Sequence, residues 1–434
     1  MTESVPIRPL HFYERITSVM NISLVFLIEG QVSSENILDA YHLTRLVHPY
    51  LRMRIAQIGD DQPVPWYVED PEQPIQLETE KATLNDNTWQ HGLEQNANTA
   101  RDHGMSLTYM KLLSDEGGDH HQLFFVINHG GIDGIGIFAF ACTFLEFLGQ
   151  VSAGEEIPDP KSLEFIDILS QIPPDADKIL PPSIPEQYIP PLKSDVEDPN
   201  QLACILGTWF ELDEEATETL VKNCRTRSAT IQGALNAAVM LALVRVQVVT
   251  YPLPQTIVMM APVNMRSYVD PPVGNEHCVC GSAGLIWAQE ISPEESIWDV
   301  VRLSNEKMEE NLEARSPLGW WAGIEKMQPQ PIPTVMMSSI GKVPVAVNYG
   351  ALRVTGVKLL GGAYDNSRAA AAGIMTHAYT VLGRLNVTFA FTSPPWSREW
   401  AKNFAGIERA VLLALSSDAR GDIQVGDFLK SFNE

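Results

Sequence analysis

Cationic residues are scarce in this sequence. Its 434 residues hold 30 lysines and arginines against 54 aspartates and glutamates, a formal net charge of -24. A surface of that sign repels nucleic acid and anionic membranes, so neither is an expected partner. It also gives no long-range attraction toward an acidic carrier protein. The densest basic cluster, Lys222, Arg225 and Arg227, reads as the solvated end of a helix. Cysteine is equally sparse. Five residues, an odd number at irregular spacing, exclude a disulfide framework and suit free thiols in the cytoplasm. His277-Cys278-Val279-Cys280 lacks a second ligand pair at a recognisable spacing, so it reads as buried strand thiols and no metal is expected. No apolar run reaches the ~20 residues that span a membrane. The first residues, MTESVPIRPLHFYERI, lack the charged-then-apolar pattern of a signal peptide.

What the chain does have is enough apolar mass, 45% of residues, for two cores. Its length suits two domains of ~200 residues each. Proline gathers between 172 and 201, at Pro173, Pro174, Pro181, Pro182, Pro185, Pro190 and Pro191, among acids and few large apolar side chains. That composition reads as an extended linker. The expected division is an N-terminal lobe at 1–175, a linker at 176–201 and a C-terminal lobe at 202–434. In the first lobe, 17–28 reads as a strand after an irregular opening at 9–14. A helix follows with Ser34 as its cap, and then His48-Pro49-Tyr50-Leu51-Arg52 leads into another strand. In the second lobe, 204–212, 255–263, 281–288, 335–340 and a pair turning at Gly383 read as strands. Helices are expected at 213–224, at 231–246, from a cap at Ser292-Pro293-Glu294-Glu295 with proline in the first turn to about Ala314, and at 397–415.

One stretch, 122–149, combines elements no other stretch does. Leu123-Phe124-Phe125-Val126-Ile127 is a compact run of aromatic and β-branched residues, the pattern of a buried strand. Asn128-His129-Gly130-Gly131-Ile132-Asp133-Gly134 breaks it, and a helix with a broad apolar face begins. His120-His121 precede the strand and read as loop residues. Glycines permit a tight turn and close approach of a ligand. Histidine is the side chain suited to proton transfer near neutral pH. Asp133 at a helix start also fits an ordinary N-cap, and the glycine pair an ordinary loop.

The spacing His129-x-x-x-Asp133-Gly134 at the end of an apolar strand resembles the active-site motif of the chloramphenicol-acetyltransferase-like superfamily. That group includes plant-type acyltransferases, condensation domains of peptide synthetases and polyketide-associated acyltransferases. Further segments are similar in order: the His-Pro-x-Leu-Arg run at 48–52, Val263-Asn264-Met265-Arg266 after a strand, Ser338-Ser339-Ile340-Gly341, and Pro394-Pro395-Trp396-Ser397 before the last helix. Asn128 stands where condensation domains usually carry a first histidine, Ser339 stands where the polyketide-associated group has asparagine, and the Asp-Phe-Gly-Trp-Gly motif of the plant enzymes is absent. The closest resemblance is therefore to stand-alone acyltransferases of the polyketide-associated type.

The resemblance implies an α/β fold of two lobes, each a mixed sheet flanked by helices, with an active-site tunnel between them. It implies transfer of an acyl group from coenzyme A or a phosphopantetheinyl carrier to an alcohol or amine, in secondary metabolism or lipid assembly, with the thioester entering as substrate and no resident cofactor. His129 would be the general base. Asp133 would hold the loop by pairing with an arginine, Arg266 first and Arg52 second. Oxyanion stabilisation would fall to a backbone N–H near Gly134 or to Ser338 or Ser339, and Asn128, Ser338, Ser339 and Arg266 would border the substrates. Trp320, Trp321 and Val335-Met336-Met337 are candidates for an acyl-channel wall, with core packing the expected role for most of them. Two rivals use the same fold: condensation-type amide formation on carrier-bound substrates, and a cyclase or binding scaffold that transfers no acyl group.

Overall fold

The structure, a computed structural model, describes residues 4–58, 64–179, 184–190, 204–247, 252–326, 333–363, 374–393, 396–417 and 422–433. Parts of the proline-rich stretch, 180–183 and 191–201, and Pro394-Pro395 lie outside them. The chain divides into two compact units. One takes Met1–Pro173, Arg266–Ser282 and Val343–Asp365; the other takes Pro174–Met265, Ala283–Lys342 and Asn366–Glu434.

The first unit is built on a six-stranded sheet in the order Asn348–Tyr349, Leu352–Ala363, Met20–Glu29, His120–Asn128, Thr108–Ser114 and Gln76–Lys81. The motif strand His120–Asn128 is antiparallel to both neighbours. It is central and covered on both faces, which is why its sequence is apolar without alternation. The helix Gly134–Ser152 lays Phe140 and Phe144 on Phe125, with ring centroids 5.0 and 4.9 Å away. Edge-to-face contacts of that kind contribute about 0.5–1.5 kcal/mol each beyond area burial. The helix Asp86–Asn98 covers the other face, where Gly92 sits so close to Phe124 that a Cβ would come within 2.6 Å of its ring. By length and apolarity Gly134–Ser152 would suffice to cross a membrane, and 50% of its most apolar window is buried in the fold.

Several local expectations differ from the structure. The opening is ordered: Val5–Pro9 pairs with Trp66–Glu69, which also pairs with Met53–Ala56, and Phe12–Thr17 is a helix. The helix Ser34–Val47 is capped by Ser33, not Ser34, because Ser33 Oγ accepts from the Asn36 N–H at 3.0 Å. His120 and His121 belong to the motif strand. His121 is buried, with its ring nitrogens 2.8 Å from Ser114 Oγ and 3.0 Å from the Gly30 carbonyl oxygen. Leu352–Ala363, which pairs with Met20–Glu29 along its length, has no counterpart among the expected strands.

The second unit carries its own six-stranded sheet, ordered Ser282–Ile291, Gln255–Asn264, Val335–Lys342, Ile374–Val381, Arg384–Ser393 and Cys204–Leu212. Ile374–Val381 and Arg384–Ser393 form the expected hairpin, with Gly383 at φ +79° in its turn. The helix Ile231–Gln247 is buried almost all round; its small residues Ala234, Ala237, Ala238 and Ala242 have no exposed surface. The helix expected to be capped by Ser292-Pro293-Glu294-Glu295 begins later, at Ile297. Ser296 caps it by accepting from the Asp299 N–H at 3.1 Å.

Candidate active site

The site grows from the point where the motif strand ends. Asn128 turns its side chain back on the chain, Oδ1 accepting from the Gly130 N–H at 2.9 Å and Nδ2 donating to the Ser18 carbonyl at 2.7 Å. A single 3-10 turn, His129–Gly131, follows. The Gly131 N–H donates to the Tyr50 hydroxyl at 2.9 Å, and that hydroxyl donates to the Asn128 carbonyl at 3.1 Å. Both glycines are required sterically. A Cβ on Gly131 would lie 1.9 Å from the Tyr50 ring, and one on Gly130 would lie 2.8 Å from Asn128 Oδ1.

His129 is half-buried, and its Nδ1 lies 2.7 Å from the Ile132 carbonyl oxygen. A carbonyl only accepts, so Nδ1 carries the proton and Nε2 keeps its lone pair. Burial lowers the imidazole pKa from 6.5, against the smaller opposing effects of the Ile132 carbonyl and the Asp133 charge. The ring is therefore neutral near pH 7, the state a general base requires. Cys280 Sγ is 3.9 Å from Nδ1, and burial pushes its thiol far above the ordinary range, so it is a neutral neighbour rather than a nucleophile. Tyr13 bonds to Cys280 and Ser282, and its phenol is also raised well above 10 by burial.

Asp133 is sealed from water. Its Oδ1 caps the helix Gly134–Ser152 by accepting from the Gly136 N–H at 2.9 Å. Arg266 binds it bidentately, Nη1 to Oδ2 at 2.7 Å and Nη2 to Oδ1 at 2.9 Å, and the Gly281 N–H donates to Oδ2 at 3.0 Å. Arg266 Nη2 also donates to the Val279 carbonyl at 3.0 Å. Charge-assisted bidentate pairs of this kind are the strong ones. Both readings of Asp133 hold at once, as cap and as arginine partner. Arg52, the second candidate, is elsewhere. It pairs with Glu69 at 2.9 Å and donates to the Arg45 and Leu46 carbonyls at the end of the helix Ser34–Val47.

Two expected substrate contacts are corrected by this geometry. Asn128 and Arg266 are 0% and 1% exposed, with side chains committed to the loop's own support. Gly134 is half-buried, and as the first helical residue its N–H has no intrahelical acceptor. The Gly130 and Gly131 N–H groups are already bonded. Ser338 and Ser339 lie in the second unit, half-buried on Val335–Lys342. On that strand Met337 faces the core, as do Trp321 and Val335 by their burial. Met336 points to the opposite face, in register with Met260 and Met375 on the flanking strands, each half-buried. Cys278 and Cys280 are buried, in the segment before Ser282–Ile291 rather than in a strand. Tyr50, Tyr13, Cys280 and Gly281 were not singled out by sequence as site residues, although Tyr50 sits inside the noted run at 48–52 and Cys280 inside the noted run at 277–280.

Two mixed α/β units, each on a six-stranded sheet flanked by helices, define the chloramphenicol-acetyltransferase-like fold. Residues 207–390 match the family described as the phthiocerol/phthiodiolone dimycocerosyl transferase C-terminus. No curated protein matches the sequence. Among solved structures, polyketide synthase associated protein 5 from Mycobacterium tuberculosis is similar at 16% identity and TM-score 0.72, covering 96% of this chain and 100% of that one. The first condensation domain of the CDA synthetase is similar at 15% identity and TM-score 0.69, covering 97% and 98%. A trichothecene 15-O-acetyltransferase from Fusarium sporotrichioides is similar at 12% identity and TM-score 0.71, covering 95% and 96%.

Proposed function

We propose that the protein is an acyltransferase that moves an acyl group from a thioester to an alcohol or amine, with His129 Nε2 as general base. The observation that carries this reading is the Ile132 carbonyl 2.7 Å from His129 Nδ1, which leaves Nε2 as an acceptor on a neutral ring. In the proposed step the acceptor's O–H or N–H gives its proton to Nε2 as its lone pair attacks the thioester carbonyl. The C–S bond then breaks, and the departing thiolate takes that proton from the imidazolium. A positioned base contributes typically ~10²–10⁴-fold. The Gly134 N–H is the proposed oxyanion donor. Asp133 and Arg266 keep the loop in shape and do not enter the chemistry. The dimycocerosyl transfer named for the matched family and the 15-O-acetylation of the similar trichothecene enzyme support the class of reaction.

The proposed donor is a small acyl thioester such as acyl-coenzyme A. A net charge of -24 opposes docking of a whole acidic carrier protein, whereas a small donor needs only a few local cations. The experiment is a panel of acyl-coenzyme A thioesters and matching acyl carrier proteins at low and moderate salt, with thioester loss and product mass followed by mass spectrometry. Consumption of acyl-coenzyme A with a new ester or amide supports the reading. A strong preference for the carrier that weakens as salt rises would favour the condensation-type alternative and overturn the inference from charge. No thioester loss anywhere in the panel would favour a protein that transfers no acyl group.

A further inference from the structure

The hydrogen bonds around the 3-10 turn point to a residue outside the motif. We propose that Tyr50 is a positioning residue for the base, its hydroxyl fixing the tautomer and aim of the His129 imidazole; this rests on His129 acting as the base. The two partners of the hydroxyl flank His129 in sequence: the Asn128 carbonyl, one residue before, and the Gly131 N–H, two residues after. The phenol thus ties the two ends of the turn to one oxygen atom. That closure is what lets the Ile132 carbonyl reach His129 Nδ1. A lone 3-10 turn has poor hydrogen-bond geometry of its own, so the clamp supplies rigidity the backbone lacks.

Tyr50 is itself held on every side. Pro49 ends the preceding helix and begins the turn Pro49–Arg52. Arg52 ties that turn to the Arg45 and Leu46 carbonyls at the helix end. The ring meets Tyr67 edge to face at 6.0 Å and fills the space a Cβ on Gly131 would need. Burial raises its phenol well above 10, so it remains a neutral O–H, able to donate and accept at once. An aromatic needed only for packing would be served by phenylalanine. Here both hydrogen bonds of the hydroxyl go to the backbone that carries the base.

The test is Tyr50→Phe in the full chain, read by nitrogen-15 NMR of the histidine side chains and by steady-state kinetics. In the wild type His129 should show the Nδ1-protonated tautomer. The variant should show a mixture, with kcat down about 10- to 100-fold and KM nearly unchanged, the cost of a misplaced catalytic group. The acidic limb of its kcat/KM profile should move to lower pH, because the Ile132 bond that raises the His129 pKa is weakened. A folded variant with the wild-type tautomer and wild-type kcat would overturn the proposal. If Tyr50→Phe does not fold, a fluorinated tyrosine placed at position 50 keeps the hydroxyl and changes its acidity. The His129 nitrogen shifts should then move, and unchanged shifts would overturn the proposal equally. The tautomer is read without substrate, so this result stands or falls separately from the acyl-transfer reading.

Discussion

Asp133 and Glu408 are carboxylates sealed from water, one in each unit, and their surroundings are opposite. Asp133 accepts from both Nη atoms of Arg266 and from the Gly136 and Gly281 N–H groups. Glu408 lies on the buried face of the helix Arg398–Leu415, four residues from Phe404, and among the described residues neither of its oxygens has a hydrogen-bond partner. Burial alone pushes its pKa up to about 8, so it sits in the core as a neutral acid near pH 7. The contrast shows what determines the state of a buried carboxyl. Where a cation and backbone donors converge, the side chain becomes a brace for the loop beside His129. Where nothing converges, it gives up its charge and becomes filler.

The largest expected effect comes from breaking the brace. Asp133→Ala strands the Arg266 guanidinium and should cost ~3–5 kcal/mol of stability by denaturant unfolding. A double-mutant cycle with Arg266→Met measures the coupling. Simple additivity would mean the pair does not brace the loop.

Glu408 should behave in the reverse sense. Its folded pKa is raised above the unfolded 4.5, so its contribution is fully present below pH 4.5 and is lost as pH rises to about 8. The loss by pH 7 is about 3 kcal/mol. Glu408→Gln should flatten that decline in a series of unfolding midpoints from pH 4.5 to 8; an unchanged slope in the variant would place the titration elsewhere.

A smaller effect belongs to His48, whose pKa burial lowers from 6.5 to about 4, with help from His277 and Arg52. Here the folded pKa is depressed. Stability is fully present above pH 6.5 and lost as pH falls toward 4, by about 2 kcal/mol at pH 5. His48→Gln should remove this acid sensitivity relative to wild type, and parallel acid curves for the two proteins would contradict it.

How much of this was legible in the sequence depended on how local the cause was. The motif strand reads plainly because Leu123 to Ile127 is buried on both faces, and the hairpin at Gly383 because its turn needs φ above zero. The strand Leu352–Ala363 was missed. Gly356, Gly361 and Gly362 weaken its strand pattern, and its partner Met20–Glu29 lies some three hundred residues earlier. Within the site, His129 and Asp133 carry their signal in their spacing. Arg266 already stood ahead of Arg52 as the partner of Asp133, but the commitment of Asn128 to the turn was not legible, since it depends on contacts made after folding. Tyr50 was invisible for the same reason: its hydroxyl acts on residues about eighty positions away.

The most direct measurement of the central claim is single-turnover thioester consumption by His129→Ala beside wild type, with an acyl donor found active in the panel. The account predicts a loss of ~10²–10⁴-fold with unfolding behaviour close to wild type, because a half-buried ring at the strand's end carries little packing. Turnover near the wild-type rate in a folded variant would contradict it.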